Sequence, residues 1–174
     1  MDNTMILAIG NAGGNIVDVF RRDTKHIGLK DARYVFADCD EGDLKRHGSE
    51  GAIILLEHTN ESFPERVFKD AGRLVIVAGL GGKTGTRFAK LAAQAAIDAG
   101  VGKVAVIATT PFIFEGENRV KAAVEVADSL AAINGLNVSV FNNEELMSKY
   151  PDLNFFNAFE TADKEIGGFI STLK

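Results

Sequence analysis

Short apolar runs punctuate the chain at Met5–Ile9, Tyr34–Ala37, Ala52–Leu56, Leu74–Ala78, Val104–Thr109 and Val138–Phe141. Runs of this length, apolar at consecutive rather than alternate positions, predict strands buried on both faces. Between them, apolar positions recur at helical spacing. Ile16, Val19 and Phe20 share a face after the Gly13-Gly14 pair. Phe88, Leu91, Ala92, Ala95, Ala96 and Ala99 share a second, and Val120, Ala123, Val124, Ala127, Leu130 and Ala131 a third. Near the C-terminal end, Phe155, Phe159, Ala162, Ile166, Phe169 and Leu173 recur at alternating steps of four and three, which predicts a helix with one narrow apolar seam. Alternating helices and doubly buried strands predict an α/β fold, a three-layer, doubly wound parallel sheet. Ligands of such sheets sit beyond the carboxyl ends of the strands, where the strand order reverses. The loops after strands are therefore the places to look for chemistry.

Composition narrows the function class. The 174 residues are 46% hydrophobic and 25% charged, which suits a single globular domain and excludes a disordered or fibrous chain. Nineteen basic against twenty-four acidic residues leave a net charge of -5, with no cluster of Lys and Arg. Neither nucleic acid nor an anionic membrane is an expected partner. The single cysteine, Cys39, excludes an internal disulfide. His26, His47 and His58 lack metal-ligand spacing. No stretch approaches the roughly 18 apolar residues of a membrane span. These features predict a soluble, cytoplasmic, single-domain protein over residues 1–174.

Three loops carry candidate chemistry. The first strand runs into Gly10-Asn11-Ala12-Gly13-Gly14-Asn15 ahead of a helix. Glycines there permit close backbone approach, and a helix N-terminus offers free N–H groups to a phosphate. A dinucleotide fingerprint would need glycines where Ala12 and Asn15 stand. The fourth strand runs into Gly79-Leu80-Gly81-Gly82-Lys83-Thr84-Gly85-Thr86. A P-loop is excluded because Val77 occupies the place of its first glycine, leaving a second glycine-rich nest at a helix N-terminus. Two such loops on one sheet are harder to explain as plain turns than one. After the fifth strand comes Thr110-Pro111-Phe112-Ile113-Phe114-Glu115-Gly116-Glu117-Asn118-Arg119. Glu115 and Arg119, four apart, either form a surface ion pair on one helix face or bracket a bound hydroxyl and phosphate.

These three segments together resemble the N-terminal, Rossmann-like nucleotide-binding domain of the FtsZ/tubulin family. Gly81 to Arg87 is similar to the tubulin signature GGGTG[ST]G, and Thr110 to Arg119 to the string T-x-P-F-x-F-E-G-x-x-R of FtsZ. Asn142 to Leu146 resembles the segment closing the sixth strand, and Ala158 to Asp163 the start of the long central helix. The resemblance implies a bound GTP or GDP, with Mg²⁺ as its companion. Gly10, Asn11, Ala12, Gly13 and Asn15, with Gly81, Gly82, Lys83, Thr84, Gly85 and Thr86, would hold the phosphates. Pro111, Glu115 and Arg119 would meet the ribose and nearby phosphate, and Asn143 the sugar and base. Phe159 would stack on the base unless it is plain core, and Asp163 would accept from the guanine N1–H and N2–H groups.

The chain departs from the family pattern in ways that open alternatives. Lys83 and Arg87 replace the third and last glycines of the signature; either they strain a position that needs φ > 0, or Lys83 adds a phosphate-binding cation. Between Asp40 and Gly79 the family's terminal-phosphate loop has no counterpart, Gly48-Ser49-Glu50-Gly51 being its nearest remnant. GTP and GDP are then expected to bind alike. The sequence stops at Lys174, before the loop that supplies the family's hydrolytic acid and before its second domain. At most weak GTP hydrolysis is expected, with a role as partner or regulator of a full-length FtsZ in cell division. Two other readings stand beside this one: a degenerate FtsZ-like interaction module without nucleotide, and a dinucleotide-binding enzyme domain with Asp38 on a ribose.

Overall fold

Six parallel strands build one sheet: β1 (Thr4–Ile9), β2 (Arg33–Asp38), β3 (Ala52–Leu55), β4 (Arg73–Gly79), β5 (Lys103–Thr110) and β6 (Leu136–Asn142). Their order across the sheet is β3-β2-β1-β4-β5-β6, so the winding reverses between β1 and β4. The helices are α1 (Gly10–Asp23), α2 (Glu41–His47), α3 (Lys83–Asp98), α4 (Glu117–Ala131), α5 (Asn143–Lys149) and α6 (Ala158–Thr172). This computed structural model describes residues 3–23, 31–47, 51–154 and 157–172.

Strand alternation sorts the core into two layers. Met5, Leu7 and Ile9 of β1 point to a cluster with Phe88, Ala92 and Ala96 of α3 and Ala123 and Leu130 of α4. Ile6 and Ala8 point the other way, to Ile16, Val17 and Phe20 of α1, Leu44 of α2 and Ile166 and Ile170 of α6. The predicted three-layer architecture is present, with the central strands buried on both faces. The outer strands differ: Ile53 and Leu55 of β3 are 52% and 59% exposed, and β6 has no fully buried residue. Lying at the two edges, these strands keep apolar faces without the double burial their composition predicts. No helix among the described residues is long and apolar enough to cross a membrane.

Two further expectations change. The segment Gly10–Asn15 is not a loop ahead of the helix but the opening turns of α1, entered through Gly10 at φ 73°. The seam of α6 runs through Ala158, Ala162, Ile166 and Ile170, each four residues on from the last, with Gly167 against the backbone of Phe20. A strict step of four drifts around the helix and leaves Phe159 outside the buried stripe, 47% exposed. Phe169 is half-buried against Phe141, while Phe155 and Leu173 lie outside the described residues.

Close approach fixes where α1 and α3 sit. A Cβ on Gly13 would stand 2.4 Å from the carbonyl oxygen of Val77, and one on Gly85 would stand 2.0 Å from that of Gly79. Backbone cannot yield as a side-chain tip can. Gly85→Ala is therefore expected to lower stability by roughly 2–4 kcal/mol, or to abolish folding. Gly168→Ala, exposed on α6 with open space around it, is expected to raise stability by about 0.5–1 kcal/mol. Urea unfolding midpoints of the two variants check the contrast.

Candidate functional site

The reversal of strand order opens a cleft at the carboxyl ends of β1 and β4, with a volume of about 620 Å³. That is ample for a nucleotide-sized ligand. α1 and α3 both begin at its floor, and neither has an acidic residue in its first turn. Two helix N-termini with free N–H groups, and no carboxylate in their own first turns, have the makings of an anion site.

The residues singled out in the sequence converge here almost without exception. Gly10, Asn11, Ala12 and Asn15 line the cleft from α1, and Gly81, Gly82, Lys83, Thr84 and Gly85 line it from the turn into α3. Pro111, Glu115, Arg119, Asn143, Phe159 and Asp163 complete the wall. Gly13 and Thr86 stand behind it. Gly13 gives the room that lets α1 touch β4, and the Thr86 hydroxyl accepts the Gly81 N–H at 2.8 Å, holding the turn closed. Gly81 has φ 97°, and a Cβ there would press on Pro111 at 2.9 Å, so the turn needs glycine twice over.

Lys83 and Arg87 are unstrained. Both lie within α3, and the only described non-glycine residue at positive φ is Asp70. Lys83 opens the helix, exposed at the mouth of the cleft. The Arg87 guanidinium donates from Nε and Nη2 to the Asn60 carbonyl at 3.1 and 2.5 Å. It thereby anchors a turn, closed by Asn60 on Glu57, that carries His58 to the cleft. Glu115 and Arg119 do not share a helix face as expected. Glu115 ends a short 3-10 turn, Gly116 at φ 119° breaks the chain direction, and Arg119 lies in the first turn of α4. Their ion pair spans 3.8 Å across that break, and Glu115 also accepts the Phe112 N–H at 2.8 Å.

The far end of the cleft is aromatic and carboxylate-bearing. The Phe159 ring stands at 84° to Phe112 and 83° to Phe114, and those two stack with each other at 4.9 Å. Asn143 is 6% exposed, and its Oδ1 is buried without a hydrogen-bond partner. Asp163 follows Phe159 by four residues, one helical turn. Burial and the nearby Glu160 carboxylate push its carboxyl up to about 7. A buried acceptor left unpaired is costly, and Asn143 Oδ1 beside the half-buried Asp163 carboxyl makes this end of the cavity suited to a donor-bearing ligand.

Cys39 and His58 also line the cleft without a binding role in the sequence reading, and so does Asp38, the ribose residue of the dinucleotide alternative. Asp38, buried at the end of β2, accepts from the N–H groups of Cys39 and Asp40 at 2.7 and 3.3 Å and from the Thr84 hydroxyl at 3.2 Å. All three bonds converge on Oδ1 and tie β2 to α3 while the residue lines the cleft. Cys39, its thiol pushed up by burial, and His58 flank it. The remnant Gly48-Ser49-Glu50-Gly51 lies largely outside the described residues.

Known proteins match this geometry. No protein-family model matches the chain. The cell division protein FtsZ of Mycoplasmopsis pulmonis is 26% identical over 189 residues, 98% of this chain and 47% of its own length. An empty FtsZ dimer from M. jannaschii superposes with a TM-score of 0.83 at 22% identity, covering 98% of this chain and 54% of that one. The chain is an FtsZ-like N-terminal domain. The protofilament of CetZ2 from Haloferax volcanii, solved with GTPγS bound, shares the fold at a TM-score of 0.77 and 17% identity, over 97% of this chain and 57% of that one. The FtsZ-like chain spans about half the length of the curated relatives it matches.

Asp163 gives this FtsZ-like domain a pH signature. The native carboxyl keeps its proton up to about 7, whereas the unfolded chain releases it near 3.8. Over that window the native state binds more protons, so its stability falls as pH rises. Asp163→Asn is expected to match the parent below pH 4 and to exceed it by roughly 1–3 kcal/mol at pH 8. Denaturant titrations of both proteins across pH, without ligand, measure the difference.

Proposed function

We propose that the cleft binds a guanine nucleotide, phosphates at the two helix N-termini and base between Phe159 and Asp163. The observation that carries this is the Asp163 carboxyl, half-buried in the cleft wall with a raised pKa, one turn beyond an exposed aromatic ring. A carboxylate presents two acceptors to the parallel N1–H and N2–H donors of guanine, whereas adenine presents an acceptor at N1. Only the ionised acid accepts both, so binding draws the proton off Asp163. Asn143 Oδ1, the other unpaired acceptor, suits a sugar hydroxyl or base N–H. Glu115 and Arg119 stand at the ribose. Lys83 adds a cation beside the phosphates. Among the described residues no three His, Cys, Asp or Glu side chains gather to hold a metal, so Mg²⁺ would ride on the phosphates and their waters.

Two alternatives are less well supported. The interaction-module reading drew on Lys83, Arg87 and the lost terminal-phosphate loop, and of these Lys83 and Arg87 are unstrained helical residues. The dinucleotide reading drew on Asp38, whose Oδ1 already accepts from Cys39, Asp40 and Thr84, and its loop carries Ala12 and Asn15 where that fingerprint needs glycines. The relatives' printed name supports a role in cell division; a full-length FtsZ-type protein is the partner we propose.

Calorimetric titration with GTP, GDP and ATP tests the reading. GTP and GDP are expected to bind at least tenfold more tightly than ATP, about 1.4 kcal/mol, and Asp163→Asn to bring that ratio close to one. Equal affinity of the unmodified protein for ATP and GTP would overturn it.

A further inference from the structure

Asn11 stands exposed in the first turn of α1 and lines the cleft where α1 and α3 begin. Arg46 of α2 reaches it from 35 residues away in sequence. Its Nη2 donates to Asn11 Oδ1 at 3.0 Å and also to Asp43 Oδ1. A terminal guanidinium nitrogen carries two hydrogens, so it serves both acceptors at once. His47 Nε2 lies farther from the same Asn11 oxygen, at 3.4 Å. The short helix that carries Arg46 is firmly seated. The Asp40 carboxylate caps it by accepting the Asp43 N–H at 2.9 Å, and Leu44 and His47 on its inner face are buried. The His47 ring fills the space a Cβ on Gly14 of α1 would need.

A guanidinium donates and never accepts, so the Asn11 amide turns its oxygen to Arg46. Its nitrogen takes the opposite branch of the same planar group, and none of the described residues accepts from it. The terminal torsion of an asparagine is broad and roughly two-fold, so an untethered amide presents either end. A phosphate oxygen is bound by the N–H end and repelled by the carbonyl end. Arg46 also neutralises Asp43, which lines the cleft. That pair is open to solvent, with side chains 61% and 27% exposed, so screening makes its effect on an anion the smaller one.

We propose that Arg46 is a positioning residue for the phosphate end of the cleft, holding Asn11 Oδ1 so that Nδ2–H₂ is presented to a phosphate oxygen. The amide is oriented before the ligand arrives, so binding does not have to order it. Arg46 itself stays on Asn11 and Asp43 and does not touch the nucleotide. This rests on the nucleotide reading above and adds to it a residue of α2, a helix that reading does not use.

A double-mutant cycle on GDP affinity, measured by calorimetry, tests this. Arg46→Ala and Asn11→Ala are each expected to weaken GDP binding about tenfold. Arg46→Ala is expected to cost nothing further in the Asn11→Ala background, and to keep its full cost in the Asp43→Asn background. The Asn11 side-chain amide, assigned by its loss from the ¹H–¹⁵N spectrum of Asn11→Ala, supplies a second readout. GDP is expected to shift that signal in the parent and to shift it less in Arg46→Ala. A merely structural role for Arg46 would lower the unfolding midpoint and leave GDP affinity and the amide signal of the folded protein alone. Losses that add in the Asn11→Ala background, or a loss that vanishes with Asp43→Asn, overturn the proposal and spare the nucleotide reading. An Asn11 amide signal indifferent to bound GDP does the same, and it is read on the parent protein even if a variant does not fold. Absence of GDP binding by the parent overturns the nucleotide reading and the proposal with it.

Discussion

Everything at the cleft depends on backbone packed against backbone around the end of β4. Gly13 of α1 meets the Val77 carbonyl, Gly85 of α3 meets the Gly79 carbonyl, and a Cβ on Gly79 would stand 2.5 Å from that of Ala12. Three missing side chains let two helices start directly on the sheet, at the one place where its winding reverses. A single methyl at any of them would push a helix off the strand and its N–H groups away from the cleft. The helix N-termini at the cleft are thus a property of packing: their main-chain N–H groups and dipoles are placed by glycines that seat both helices on the sheet.

The two ends of the cleft are built from different material. At the floor, rigid backbone and the Asp38 carboxylate, which joins β2 to the first turn of α3 through Thr84, leave little to adjust. At the far end recognition falls to side chains on α5 and α6, where Asn143 and Asp163 keep acceptors that protein groups do not satisfy. Such groups cost stability in the empty protein and are matched only by a ligand's donors.

The substitutions in the glycine signature illustrate how a motif can change while the helix it opens keeps its geometry. Lys83 and Arg87 stand at helical positions where any residue fits. Arg87 does more than fit, because its grip on the Asn60 carbonyl fixes the turn that carries His58 to the cleft. A position that is glycine in the signature has become an anchor for a neighbouring loop.

Periodicity in the sequence determined the strands, four of the helices and the parallel, doubly wound sheet, because burial at a fixed spacing is a local property of each segment. The two glycine-rich turns were legible for the same reason, and so was the carboxylate one turn beyond Phe159. What only the tertiary structure decided is which distant side chains meet. The sequence gives no sign that Asp38 is spent on Thr84, 46 residues on, or that His47 reaches Asn11, 36 residues back. Gly14 reads as a phosphate-loop glycine, yet its missing Cβ makes room for the His47 ring. The α6 seam likewise reads through Phe159 until packing against α1 turns the helix so that Ala158, Ala162, Ile166 and Ile170 go inward. Spacing along a helix fixes which residues share a face, but the neighbour it packs against decides which face is buried.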